Sequence, residues 1–232
     1  AGTLVVTAGR SSSTGIELTG LGAEQVENFL YSYAQARVSR NRLFAQAYVN
    51  AGDAGDAYLL RDGLPVVDRS WQFVSQIQHG GALFEGRQDF TYGLDFSRTV
   101  PRSDGTIYGV FENDDEITEV GAYLQSETAL TPKLDLVLSG RWDENSTLGE
   151  GVFSPRAALI YKPDDNQSLR LTYNRAFSTP TSLNLFLDVA AGRAPDLLGP
   201  LGYRLRARGT GRDGFRLTNP DEIGRASCRG RG

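Results

Sequence analysis

Lys133 to Phe177 reads KLDLVLSGRWDENSTLGEGVFSPRAALIYKPDDNQSLRLTYNRAF, and alternation alone divides it into three strands. In the first, Leu134, Leu136, Leu138, Gly140 and Trp142 share one face, with Asp135, Val137, Ser139, Arg141 and Asp143 on the other. In the second, Pro155, Ala157, Leu159 and Tyr161 oppose Arg156, Ala158, Ile160 and Lys162. In the third, Leu169, Leu171, Tyr173 and Phe177 oppose Ser168, Arg170, Thr172 and Asn174. A side-chain period of two over this length marks strands with one apolar and one polar face.

The connections narrow the kind of sheet. Only Pro163 to Gln167 separates the second strand from the third, which is a tight turn. A longer polar loop, Glu144 to Ser154, separates the first from the second. Short turns at one end and long loops at the other are the habit of outer-membrane β-barrels. A strand of ~10 residues, rising ~3.3 Å each and tilted by ~45°, spans about 23 Å, close to the ~25 Å apolar band of such barrels.

Working back to Ala1, the same parity recurs. Leu4 to Arg10 forms a first strand, and Ser11 to Asn28 a polar loop with a helical turn around Ala23 to Asn28. Ser32, Ala34, Ala36 and Val38 then descend, Ser39-Arg40-Asn41 turns, and Leu43, Ala45, Ala47 and Val49 ascend. Ala51 to Asp68 is a long loop, and the strand after it carries Trp71, Phe73 and Ile77 on one face. Gly80 to Arg87 is short; Phe90, Tyr92, Leu94 and Phe96 alternate next; Thr99 to Glu116 is long. Val120, Ala122 and Leu124 lead to the turn Leu130-Thr131-Pro132-Lys133. The reading is all-β: an antiparallel up-and-down transmembrane β-barrel, partial, of about nine consecutive strands. After Phe177 a short helix is expected over Ser182 to Ala191, capped by Ser182, with residues 192–220 as loop or disorder.

Four strings now acquire a family likeness. AYLQSETALTPKLDL from Ala122, LDLVLSGRWD from Leu134, FSPRAALIYKP from Phe153 and QSLRLTYNRAFSTPTSLNLF from Gln167 follow in order. Together they resemble the barrel of a TonB-dependent outer-membrane receptor, over about residues 88 to 187. The resemblance implies periplasmic short turns, extracellular long loops, a Gram-negative type outer membrane and energised uptake of a scarce nutrient. An iron–siderophore complex, cobalamin and an oligosaccharide are the ligand classes it implies, with outer-membrane lipid as the surroundings. It also implies TonB as a partner, acting through a plug domain upstream of Ala1. A passive outer-membrane porin is the alternative, and a secreted β-sandwich binding module a more remote one.

On this reading Arg141, Arg156 and Arg170 line the lumen, where they contact a plug or an anionic ligand. Trp71, Trp142 and Phe177 fall near the long-loop rim and Tyr161 near the short-turn rim, as the two interfacial aromatic girdles of a barrel would.

Composition agrees and excludes other classes. A net charge of −4 over 232 residues argues against a nucleic-acid partner. The 27 Gly, 11 Phe and 10 Tyr fit strands and turns. No run of 18 apolar residues exists for a helical span. His79 is the only histidine and is expected at a strand end; with no second histidine to join it, no metal or cofactor is expected. The acidic run Glu112-Asn113-Asp114-Asp115-Glu116 offers oxygen ligands for Ca²⁺ but lacks the EF-hand order, so a solvated loop is expected. Asp135, Asp143 and Glu144 come with no nucleophile and no GxSxG motif, so no enzyme is expected.

Both ends read as foreign to a complete protein. Ala1 to Leu4 has neither a basic n-region nor a cleavage site, so the chain is expected to begin inside a longer one. Glu222 to Arg229, EIGRASCR, resembles translated sequencing adapter and includes Cys228, the only cysteine. The expected division is residues 1–187 as partial outer-membrane β-barrel, 188–220 as extracellular loop or disordered, and 221–232 as a non-native adapter-derived tail. Genomic resequencing across the Pro220 codon is expected to diverge from EIGRASCR; finding that string intact in the genome would refute the adapter origin.

Overall fold

The computed structural model describes residues 1–20, 22–164, 166–193 and 204–212. The expected tail, 221–232, and the rest of the presumed final loop lie outside the described residues. In chain order the elements are β1 (Gly2–Thr19), β2 (Gly22–Arg40), β3 (Leu43–Asp53), β4 (Ala57–Leu59) and β5 (Pro65–Val66). Then come β6 (Trp71–Leu83), β7 (Gln88–Val100), β8 (Ile117–Thr131), β9 (Leu134–Asn145), β10 (Val152–Asp164) and β11 (Gln167–Asn174). A short helix, α1 (Ser182–Phe186), and two further strands, β12 (Asp188–Arg193) and β13 (Arg204–Arg208), complete the described residues.

Strands β1 to β11 form one 11-stranded sheet that does not close on itself. Its nine long members (β1, β2, β3 and β6 to β11) lie side by side in sequence order, each antiparallel to the next. The nine strands are thus those expected from alternation, and the expected parity of short and long connections holds from β2 onward. Asn41-Arg42 joins β2 to β3, residues 84–87 join β6 to β7, and Pro132-Lys133 joins β8 to β9. Asn41 sits at φ 52°, a left-handed conformation that asparagine tolerates because its short amide bonds locally. The opposite end carries residues 54–70, 101–116 and 146–151.

Directly paired residues of an antiparallel ladder point to the same side, so the register sorts every side chain. Ile77, Leu94, Ala122, Trp142 and Phe153 form one continuous row. One residue along, Gln46, Gln76, Asp95, Gly121 and Asp143 form the opposite row. The first face is apolar and open: Leu94, Leu138 and Leu171 are 57%, 49% and 75% exposed. The second is polar and concave, because a groove on it is lined by residues from β3 as far as Phe177 to Thr179, beyond β11. Large residues lie over glycine on this face: a Cβ on Gly93 would fall 2.6 Å from the Ile77 carbonyl and 2.5 Å from Tyr123 Oη. Only glycine admits the Tyr123 ring across the β7–β8 ladder at that point.

The buried core lies elsewhere. Val26, Ala54, Leu59, Val66, Ile107, Tyr108, Leu185 and Phe186 are among the residues that pack together, all at the long-connection end. The connections 54–70 and 101–116, the far end of β2 and α1 therefore fold into a cap with its own interior.

Several expectations fail here. The polar loop at 11–28 and its helical turn are instead a hairpin, β1 running to Thr19 and β2 starting at Gly22. This hairpin outruns the sheet, since β3 pairs with β2 only from Leu30 onward. In its far part β1 is exposed throughout and the buried face of β2 carries both Glu24 and Val26, so the apolar/polar alternation by which strands are recognised is lost. The helix expected over 182–191 stops at Phe186, and its cap is Thr181, which accepts from the Asn184 amide at 3.3 Å in a capping box. It ends there because Asp188 opens β12, which pairs with β13 inside the stretch expected to be loop. Finally, β11 ends at Asn174, so the alternation that grouped Phe177 with Leu169 does not reach it.

Residues 1–220 expressed alone should fail to give a monodisperse soluble protein. Two unpaired edges, β1 and β11, and a broad apolar face favour association. Size-exclusion chromatography without detergent checks this, and a sharp monomer peak would contradict it.

Candidate functional site

The polar face is a bonded wall. Arg141 on β9 is its hub: Nη1 reaches Asp95 Oδ2 at 2.5 Å, and Nη2 reaches Asp143 Oδ1 at 2.7 Å. Its guanidinium also lies over the Tyr123 ring, 5.7 Å from the centroid, and the Tyr123 hydroxyl donates to Gln78 Oε1 at 2.8 Å. Toward β2 the network continues as amides: Gln35 donates to Gln46 at 3.2 Å, and Gln46 to Gln76. Toward the cap, Glu119 accepts from Asn145 at 2.8 Å and from Ser97 at 3.2 Å.

Of these, Gln76, Asp95, Ser97, Glu119, Arg141, Asp143 and Asn145 line a groove of about 650 Å³, together with Tyr48, Ser154 and Phe177. Three carboxylates (Asp95, Asp143 and Glu119) face one guanidinium there, so this stretch of wall carries net negative charge. Amides, hydroxyls and paired charges suit recognition of a polar surface, and Asp143 is committed to holding Arg141. Asp135 is likewise held by Lys162, at 2.6 Å.

The three arginines singled out from the sequence share the polar face but do not converge. Arg141 is paired twice, as above. Arg156 lies opposite Ser139 and Asn174, and Arg170 opposite Ile160. Both are exposed, and among the described residues neither has an ion-pair partner. Of the four aromatics, Trp142 and Tyr161 stand on the apolar face, 50% and 44% exposed. Trp71 starts β6 on that same face, opposite Val100. Phe177 lines the groove instead. His79 points from the apolar face too, with Nδ1 3.0 Å from the Tyr92 hydroxyl. Among the described residues no group of three or more His, Cys, Asp or Glu side chains could hold a metal ion.

Asp95, Gln76, Glu119 and Asn145 were not singled out from the sequence. Alternation places each on a polar face. Knowing that they meet Arg141 or one another requires the register across neighbouring strands.

The acidic run in the cap is built into its turn. Glu112 accepts from the backbone amides of Ser103, Asp104 and Gly105 and from the Ser103 hydroxyl. Burial pushes its carboxyl up, but these hydrogen bonds outweigh it and hold Glu112 below the usual range. Asp188, fully buried, is treated the same way: burial raises it, while Arg206, the Val110 amide and Arg208 hold it low. Asp188 thereby ties β12 and β13 to the 101–116 connection.

Compared with known proteins, residues 9–221 match the family model described as TonB dependent receptor-like, beta-barrel. No curated protein matches the chain. The meander of strands, the unclosed sheet with one apolar and one polar face, and this match over most of the sequence agree: the chain belongs to the TonB-dependent receptor-like β-barrel family.

Proposed function

We propose that this chain is the wall of a receptor that takes up a scarce nutrient across the outer membrane with energy delivered by TonB. The observation that carries the reading is the two-faced meander: an exposed apolar surface backed by a hydrogen-bonded polar wall, with long connections gathered at one end. The apolar face meets lipid, with Trp71, Trp142 and Tyr161 as interfacial anchors. The polar face lines the lumen and contacts a plug domain supplied by sequence before Ala1. Arg156 and Arg170, exposed on that face, are free to bond the plug or an anionic ligand, whereas Arg141 braces the wall. The small-molecule ligand enters from the capped, extracellular side. Residues 188–193 and 204–212 belong with that side, because Asp188 and Arg212 bond the 101–116 connection.

Recovery of the gene upstream of Ala1 separates this from a passive channel. A plug of well over a hundred residues, with uptake abolished by removing TonB, is the expected result; uptake independent of TonB would overturn it.

The inside–outside assignment has its own test. Leu138 lies on the apolar row with Ser126 and Ala157, and its neighbour Ser139 on the polar row with Gln125 and Arg156. Arginine on the lipid face at mid-membrane costs about 2–4 kcal/mol, while a lumen substitution mainly alters what the interior contacts. In the intact parent, Leu138→Arg should strongly impair refolding into liposomes and Ser139→Arg should be mild. Equilibrium denaturant titration of both decides it, and equal or reversed costs would contradict the assignment.

A further inference from the structure

One buried carboxyl is used by none of the above. Asp115 is 1% exposed, and its Oδ2 has no hydrogen-bond partner. It sits where the cap is sewn together. The Asp114 carbonyl beside it accepts from Arg212 at 2.8 Å, and the same guanidinium reaches the Ser146 carbonyl at 3.4 Å and lies over Phe186. Through Ser146 this clamp reaches the connection bearing Leu148, which lines the groove. On its other flank the 101–116 connection is bonded to 54–70, where Thr106 accepts from the Val67 amide at 2.9 Å.

The charges around Asp115 give an ionised form no help. Its own connection supplies Glu112, Asp114 and Glu116, and the 54–70 connection supplies Asp68, which like Asp115 bears on Tyr108. Most cations of the cap are engaged elsewhere: Arg206 and Arg208 by Asp188, Arg69 by Asp104, Arg98 by Glu116, Arg61 by Asp62, and Arg212 by two carbonyls; Arg102 has no ion pair among the described residues. An ionised carboxylate buried without a partner must be neutralised or leave. A cation would need several oxygen ligands, yet Glu112 is committed to its turn and no metal-holding group forms among the described residues.

We infer that Asp115 is a proton-operated latch on the extracellular cap: protonated, it stays inside and the cap is closed; ionised, it draws segment 112–116 outward and releases the Arg212 clamp over the groove. This rests on reading the long connections as extracellular. Burial, with Glu112 adding to it, pushes the Asp115 carboxyl from 3.8 up to about 7. The closed form therefore binds the proton more tightly than the open one. Closure is favoured in acid, weakens as pH rises from about 4 to about 7, and changes no further above that. Over that window the closed-to-open ratio falls by up to about tenfold per pH unit.

Hydrogen exchange of the intact parent receptor in liposomes reads this, with Asp115→Asn as reference so that the intrinsic pH dependence of exchange cancels. Protection of residues 105–117 in the unaltered protein should fall relative to Asp115→Asn across the window, and Glu85→Gln, an exposed carboxylate at the short-turn end, should behave as the unaltered protein does. A flat ratio would overturn the latch. So would protection regained near neutral pH on adding millimolar calcium, which would assign a metal rather than a proton. Should Asp115→Asn not fold, the unaltered protein is compared with Glu85→Gln and with intrinsic exchange rates, and protection that does not fall with pH overturns the latch. Labelling of Asn113→Cys on whole cells with a membrane-impermeant maleimide tests the orientation separately, so that a wrong topology and a wrong latch give different results.

Discussion

Backbone amides and carbonyls that cross an apolar phase must be paired within the protein, and a sheet can do this only if every strand finds its neighbours in register. In this chain the neighbour is always the next long strand in sequence, so one ladder satisfies the backbone from β1 to β11. Everything else follows from that pairing. Because register fixes which side chains share a row, it also puts Arg141 between Asp95 and Asp143 and leaves Leu94 and Trp142 together on the other surface.

The two faces are stabilised differently. The apolar face has no partner within the described residues and depends on its surroundings. The polar face is self-sufficient: Gln35, Gln46 and Gln76 pass hydrogen bonds from strand to strand, and Arg141 carries them across β7 to β9. Such a network stiffens the wall, because moving one strand breaks bonds to its neighbours on both sides. The cap follows a third rule, that of a small soluble domain with Phe186, Val26 and Leu59 in a dry interior.

What could be read from sequence divides along the same lines. The strands from Leu134 to Asn174 and their tight turns were legible because a half-exposed strand writes its two environments into alternate residues. The β1–β2 extension was not, since Ser11 to Thr19 is exposed throughout and the buried positions of β2 opposite it mix Glu24 with Val26, so no alternation marks the pair. The cap was illegible for another reason. Val26, Ala57, Ile107 and Leu185 are separated by long intervals of chain, and no local period announces that they meet. Arg141 could be placed on the polar face beside Asp143, two residues on along the same strand, but its partner Asp95 on β7 depends on a register that alternation leaves open.

The strict neighbour-to-neighbour order of the wall bears on how it comes into being. Each tight turn closes a hairpin whose two arms are adjacent in the chain, so no strand waits for a distant partner before its ladder can form. Within the described wall contact order stays low for a β protein, and loop-closure entropy is met in small instalments. Assembly can proceed as a zipper, each finished hairpin offering its outer strand as the template for the next. Only the two outermost strands, β1 and β11, depend on chain beyond the wall, and so the slow, long-range step of this architecture is the final seam.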